Sequence, residues 1–429
     1  MRNLDGALAP VLEHLVKKGA SIVWAEGRLS RVYEAARFAA QLDGRAVAVY
    51  NIKELPYVFA SNIVYSRKIL YMLLEADSDM SAYEKILSLK PESLARGEFS
   101  DYFEEAGSGL DLLPALRFYE GDGGLYVTSS IFIACNGKAC NASIHRIMVS
   151  DDYSYAAVRV VPRHLYRILM ERGGSTPVAV VVGVDPRIML AAALSPPFGV
   201  FELELAAALT GGLRVCETPR YRLPVPCGAS MVIEAVLGPE RRSEGPFVDL
   251  LGLYDNVRSE PELKVESIYV NKVYEPVLHA ILPGGTEHKL FMGFPREASI
   301  YDAVRRVVPR VVKVRLTPGS GMWLHAVISI EKQHDGDGKN AGLAALAGHP
   351  SLKHVVVVDA DIDPDDPQQV EWAIATRLQA DRGIVIVSHA RGSTLDPSAV
   401  DGLTAKLIVD ATVPIGERSR YTRPIIPGS

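Results

Sequence analysis

The sequence predicts an α/β protein, α+β in its middle third, in three successive parts. Three observations carry this. Over about the first hundred residues, apolar positions at helical spacing alternate with short β-branched runs, the pattern of an α/β layer. Between about residues 112 and 297, short β-rich runs separated by Gly, Asn and Asp turns dominate, with helices interposed. After about residue 300 the regular alternation of helix and strand resumes. The expected division is an N-terminal α/β domain at 1–111, a central split antiparallel β-barrel with a helical insertion at 112–297, and a C-terminal α/β domain at 298–429.

In the first part, Leu4, Leu8, Val11, Leu12 and Leu15 share one helical face, and Gly19 is the stop. Ser21–Ala25 reads as a strand, Arg31–Leu42 as a helix with the small face Ala35, Ala36 and Ala39, and Arg45–Ile52 as a strand. Helices follow over Ser61–Leu74 and Ser81–Leu89. In the second part the strands are Gly124–Asn136, Asn141–Ser150 and Tyr155–Val161. Then come a helix at Arg163–Arg172, the apolar strand Pro177–Val184, and helices at Pro186–Leu194 and Glu202–Leu209. Strands return at Leu213–Glu217, Ala229–Leu237 and Lys264–Tyr274, so helices split the sheet. The third part reads as helix Ala298–Val308, strands Val311–Leu316 and Trp323–Glu331, helix Asn340–Ala347, strand His354–Val358, helix Pro367–Gln379 and strand Gly383–Ser388. Its tail is rich in Pro, Gly and Ser, with one apolar run at Leu407–Val409.

Composition narrows the classes. A chain of 429 residues that is 48% hydrophobic and 23% charged can build more than one core. A formal charge of −5 argues against a nucleic-acid or membrane-surface partner. No apolar run is long enough to span a bilayer, and the first residues lack a signal-peptide pattern, so a cytoplasmic protein is expected. Cys135, Cys140, Cys216 and Cys227 match neither zinc-knuckle nor CxxC spacing, and buried thiols are the expectation.

Local motifs are weak one at a time. Asp359, Asp361 and Asp363 alternate at a strand end, where they suit a hard cation or, more commonly, the cap of the next helix. Gly336-Asp337-Gly338-Lys339 lacks P-loop spacing and reads as a turn. More telling are polar groups set within apolar runs, where they cost free energy unless something pairs with them. Asn141 and Arg146 stand five apart in one such run, and Glu244 and Asp249 five apart in another.

With Pro162-Arg163-His164 and Glu202 between them, these segments resemble the UbiD-type decarboxylases. The resemblance also covers Ala60–Leu70 (ASNIVYSRKIL), Glu202–Gly211 (ELELAAALTG), Glu244–Asp249 (EGPFVD), Asp359–Asp363 with Val370–Arg377 (VEWAIATR), and Lys406–Thr412 (KLIVDAT). Seven stretches match in order, over most of the chain.

The resemblance implies prenylated FMN as cofactor, its phosphate bridged to the protein by a divalent metal, usually manganese, with an associated potassium ion. Asn141, His164 and Glu202 would be the metal ligands. An amide oxygen, an imidazole and a carboxylate suit such a cation. Ala142, Ser143, Ile144, Arg163, Ser195 and Lys406 would complete the cofactor site, with Lys406 approaching the flavin. Viewed without the family, His164 and Glu202 read as a helix-start histidine and an exposed first-turn acid, and Lys406 as a surface lysine.

Arg146, Glu244 and Asp249 match the family's catalytic arginine and two carboxylates. Arg146 is expected to take a substrate carboxylate bidentately. Glu244 is expected to pair with Arg146, and Asp249 to protonate the carbon that CO₂ has left. Val248 stands where the family usually has glycine, and the chain is shorter than the aromatic-acid members. The implied function is non-oxidative decarboxylation of an α,β-unsaturated acid, trans-anhydromevalonate 5-phosphate to isopentenyl phosphate as in the archaeal branch. A 4-hydroxybenzoate-type aromatic decarboxylase is the alternative, and a non-catalytic partner subunit the alternative of another class. His145, His288 and Lys289 are candidates for a substrate phosphate from sequence proximity, each otherwise reading as ordinary surface. A flavin prenyltransferase would supply the cofactor, and the C-terminal part would build a homo-oligomer, dimer or hexamer.

Overall fold

The computed structural model describes residues 1–308 and 310–424. The chain folds into two compact units, one of residues 1–77 and 88–291, the other of residues 78–87 and 292–429. The sequence segments 1–111 and 112–297 thus fall largely in the first unit, while the helix Asp79–Leu87 belongs to the second.

The first unit is organised by nine antiparallel strands. Their hydrogen-bonded path runs Leu125–Val127, Ile147–Val149, Ala156–Val158, Arg258–Asn271, Met231–Glu244, Thr176–Val182, Ile131–Cys135 and Cys140–Ile144. The short strand Phe103–Gly107 adds to Arg258–Asn271. Val178, Val180 and Val182 are fully buried with Met231, Ile233, Ala235 and Leu237 of the neighbouring strand, each side chain larger than alanine contributing about 1.5–3 kcal/mol when removed from water. Three helices, His164–Glu171, Pro186–Leu194 and Glu202–Thr210, interrupt the strand succession as the sequence predicts. Pro186–Leu194 matches at both ends because Asp185 caps it, accepting from the Arg187 amide, and proline occupies its first position.

A four-stranded sheet packs in the same unit, in the order Ile22–Leu29, Val47–Ile52, Val58–Ser61, Val277–His279. Val58–Ser61 is a strand missed in the sequence, where the helix was expected from Ser61. The helix begins at Arg67, capped by Ser66.

The two long strands exceed their apolar cores. Met231–Glu244 continues seven residues past Leu237, and its polar end pairs with the start of Arg258–Asn271 in the register Arg242↔Glu260, Ser243↔Ser259, Glu244↔Arg258. That polar ladder carries the functional groups described below.

All four cysteines are in disulfides, contrary to the expectation of free buried thiols. Cys135 and Cys140 are cross-strand partners in one hairpin, with Cα atoms 4.1 Å apart. Cys216 and Cys227 lie 5.2 Å apart on the antiparallel pair Arg214–Glu217 and Pro224–Pro226 and its continuation. Both Cα separations follow from strand pairing, which cysteine spacing alone does not reveal.

In the second unit, five strands are ordered Val311–Leu316, His325–Ile330, His354–Asp359, Leu403–Ala411, Ile384–Arg391, with a parallel centre and antiparallel edges. The apolar run at Leu407–Val409 is therefore the middle of a sheet strand. Asp359, Asp361 and Asp363 hold cationic side chains here. Arg377 donates to Asp359 at 3.0 Å and to Asp361 at 2.9 and 2.6 Å, and Lys313 donates to Asp363 at 2.7 Å. The cap of helix Pro367–Arg377 is Asp366. Gly336–Lys339 forms a helix start, with Asp337 accepting from the amides of Gln333 and His334.

Candidate active site

Arg146 sits in the two-residue break between strands Cys140–Ile144 and Ile147–Val149. Its neighbours stay in the ladder: the His145 amide donates to Ser130 O at 3.2 Å, and the Arg159 amide donates to Arg146 O at 3.3 Å. The side chain is thereby aimed at the end of the long polar ladder. Arg146 Nε and Nη2 donate to the two oxygens of Glu244 at 2.8 and 2.9 Å, a bidentate pair. Nη1 donates to Asp249 Oδ2 at 3.2 Å, and Nη2 also donates to Asp255 Oδ2 at 3.1 Å. The guanidinium lies over the Phe247 ring, 4.3 Å from its centroid. Burial works against the arginine's charge, but the hydrogen bond and field of Glu244, joined by Asp249 and Asp255, hold its pKa above the usual arginine value.

The carboxylates differ in environment. Glu244 has no exposed side-chain surface, Asp255 has 8% and Asp249 20%. Glu244 ends its strand, and the next turn is anchored by Pro246 O, which accepts from the Gly123 amide at 2.9 Å and Tyr126 Oη at 3.0 Å. Gly123 must be glycine, since a Cβ there would stand 1.9 Å from Gly245 O. Asp249 and Asp255 belong to one small hairpin, with Phe247↔Asp255 and Val248↔Tyr254 paired. Val248 is buried in that pairing. Asp249 Oδ1 accepts from the Leu250 amide at 2.7 Å. Asp255 also holds Arg258 Nη2. Neither Asp255 nor Arg258 was anticipated, because nothing in LYDNVR distinguishes a site acid from a turn acid.

A second set gathers in the same unit. Glu202 accepts from the Ala142 amide at 2.7 Å and from Asn141 Nδ2 at 2.8 Å, while His164 Nδ1 lies 3.9 Å from it. Asn141 Oδ1 accepts from Ser143 Oγ at 2.8 Å, which also contacts His145 Nε2 at 2.9 Å. Glu202 is only 2% exposed, so the exposed first-turn reading fails. Burial pushes its carboxyl up to about 7, only partly offset by those N–H donors. Burial, then Arg163 and Arg167, lowers His164 and favours its neutral, ligating form. A buried carboxyl beside a neutral imidazole and the Asn141 amide, which donates its Nδ2 to it, suits a divalent cation that would supply compensating positive charge. Among the described residues no group of three or more His, Cys, Asp or Glu is placed to hold a metal, so the third protein ligand would be the Asn141 amide.

Of the other expected residues, Ala142 is buried beside Glu202, Ser143 and Ile144 are half-buried on the same strand, and Arg163 and Ser195 are exposed at helix ends. Lys406 belongs to the second unit, where its buried ammonium donates to Pro350 O. His145 is buried, not surface, with its pKa pushed down to about 4 mainly by burial. His288 is half-buried and Nδ1 accepts from the Gly284 amide at 3.1 Å. Burial lowers its pKa, while Asp249 raises it and Arg146 lowers it further. Arg146 spends four of its five N–H groups on carboxylates, so the expected bidentate substrate contact requires one of them to yield.

Comparisons with known proteins define the class, a carboxy-lyase. The profile of the 3-octaprenyl-4-hydroxybenzoate carboxy-lyase Rift-related domain matches residues 95–286, and that of the corresponding C-terminal domain residues 289–411. The chain belongs to the UbiD family. It is 50% identical to an anhydromevalonate phosphate decarboxylase of Aeropyrum pernix, covering 99% of this chain and 97% of that one. Identity to the enzyme of the same name from Methanothermobacter thermautotrophicus is 40%, covering 95% and 98%. The fold superposes on the UbiD-class enzyme HmfF of Pelotomaculum thermopropionicum, solved with FMN, with a TM-score of 0.92, 33% identity and 98% of both chains covered. An evolved dimeric form of HmfF in complex with prFMN gives a TM-score of 0.88 at 30% identity, covering 99% and 97%.

Proposed function

We propose that this chain decarboxylates trans-anhydromevalonate 5-phosphate to isopentenyl phosphate with prenylated FMN. The observation carrying the reaction class is the bidentate Arg146–Glu244 pair with two further carboxylates on the same guanidinium. The substrate rests on the near full-length similarity to anhydromevalonate phosphate decarboxylases. Asn141, His164 and Glu202 would hold a divalent cation, manganese in our reading, at the cofactor phosphate. Prenylated FMN supplies the electron sink when the carbon–carbon bond breaks.

The chain's own groups divide the remaining work. Glu244, held by two hydrogen bonds and fully buried, fixes the Arg146 plane. Asp249 has the longest contact to Arg146 and the greatest exposure of the three acids. An arriving substrate carboxylate displaces Asp249 from Nη1 and takes its place, aligned by the guanidinium. Asp249, freed and reached by solvent protons, delivers a proton to the carbon that CO₂ leaves, so that a C–H bond replaces the broken C–C bond while the phosphate keeps its charge. The reaction consumes one proton and releases one CO₂.

The test is product analysis on protein produced alongside a flavin prenyltransferase. Offered the phosphorylated unsaturated acid and 4-hydroxybenzoate separately, the protein should release isopentenyl phosphate from the first and no phenol from the second. Phenol formation, or a colourless protein inactive on both, refutes the assignment.

A further inference from the structure

We propose that Arg258 binds the phosphate end of the substrate, an inference resting on the reading of the substrate as a phosphorylated acid. Arg258 opens its long strand directly opposite Glu244, so both side chains leave the same face of the ladder. One carboxylate, Asp255, bridges the two arginines: its Oδ2 accepts from Arg146 Nη2 at 3.1 Å and its Oδ1 from Arg258 Nη2. The guanidinium that receives the substrate carboxylate and the guanidinium of Arg258 thus stand one carboxylate apart, suited to the two ends of a short doubly anionic molecule.

Arg258 also has an unused donor. Its Nε is buried and has no hydrogen-bond partner, while the side chain as a whole is 27% exposed. A buried N–H without an acceptor is uncommon unless a ligand completes it, and a phosphate oxygen is a strong acceptor for a guanidinium fork. Two guanidiniums already face three carboxylates, Glu244, Asp249 and Asp255, so a phosphate taken by Arg258 competes with Asp255 for its guanidinium, as the substrate carboxylate competes with Asp249 for Arg146.

The neighbouring alternatives are less suited. The amide opening the helix Thr286–Arg305 already donates to Asp43, at 2.9 and 3.2 Å. His288 accepts a backbone N–H on Nδ1, and burial favours its neutral form. Lys289 follows it on that helix and is the control position.

The test compares wild-type holoenzyme with Arg258→Ala, Arg258→Lys and Lys289→Ala, on trans-anhydromevalonate 5-phosphate and its dephosphorylated acid. Arg258→Ala should raise KM for the phosphorylated acid by about tenfold or more, with kcat changed by less than about threefold and the dephosphorylated acid unaffected. Arg258→Lys should recover part of the loss. Inorganic phosphate binding, measured by calorimetry without turnover, should weaken about tenfold in Arg258→Ala. That binding arm tests the subsite even if the wild type does not turn over the phosphorylated acid, a result that would refute the proposed substrate instead. Equal losses on both acids, unchanged phosphate binding, or a KM effect confined to Lys289→Ala would overturn the assignment.

Discussion

Breaking the Arg146–Glu244 pair from its two sides should have unequal costs. Arg146→Gln leaves Glu244, Asp255 and Asp249 crowded together, at 0%, 8% and 20% exposure, with Arg258 as the nearby cation. Removing one partner of a buried ion pair costs about 3–5 kcal/mol, because the remaining charge loses its compensation. Loss of the contact with Phe247 adds about 1 kcal/mol. Glu244→Gln breaks the same bidentate contact, yet Arg146 keeps Asp249 and Asp255 as partners. Its cost should be nearer about 2 kcal/mol, that of a weakened charge-assisted hydrogen bond. Hydrogen exchange of the Met231–Glu244 amides, followed through a urea series, reads this unit locally, and urea avoids the ionic screening that guanidinium would introduce. Arg146→Gln should open more easily than Glu244→Gln by about 2–4 kcal/mol. Equal costs, or a larger cost for Glu244→Gln, would refute the charge argument.

Three further outcomes follow from particular residues. Glu202 is raised from 4.5 to about 7, so its contribution to stability is fully present below pH 4.5 and is lost as pH rises through about 7, amounting to about 3 kcal/mol. In chelator, the melting temperature of the wild type relative to Glu202→Gln should therefore fall between pH 5 and pH 8, and a constant difference would contradict the assignment. Cys135 and Cys140 are half-buried whereas Cys216 and Cys227 are inaccessible, so mild reductant should open only the first disulfide in the native protein, as read by mass-tagged thiols. Loop-closure entropy puts the loss at about 2 kcal/mol for the shorter loop. Gly123→Ala, whose Cβ would collide with Gly245 O, should abolish decarboxylation while leaving the far-ultraviolet circular dichroism near wild type.

What was legible in the sequence was local. Strand Val311–Leu316 and helix Pro186–Leu194 match end to end, since β-branched alternation and an Asp-Pro start signal themselves within a few residues. The illegible parts depend on partners far along the chain. Strand Met231–Glu244 looks finished at Leu237 because GPERRSE has no apolar face, and only pairing with Arg258–Pro261 extends it. Register likewise made the disulfides. His145 and His288 read as surface residues because burial of a histidine leaves no mark on its neighbours in sequence. Arg146, Glu244 and Asp249, read from the family resemblance, do converge, as do Asn141, His164 and Glu202. Asp255 and Arg258 lay just beyond the matched segment and carried no pattern of their own.

The Phe247–Asp255 hairpin separates what is permanent in this pocket from what is adjustable. Glu244 and Arg258 are rooted in the long ladder, so they hold position whatever happens between them. Asp249 and Asp255 ride on a few turn residues, where one insertion or one altered side chain could re-aim an acid without disturbing the sheet. Engineers seeking new unsaturated acids as substrates would do best to diversify residues 248 and 250–254, keeping Asp249 and the framework.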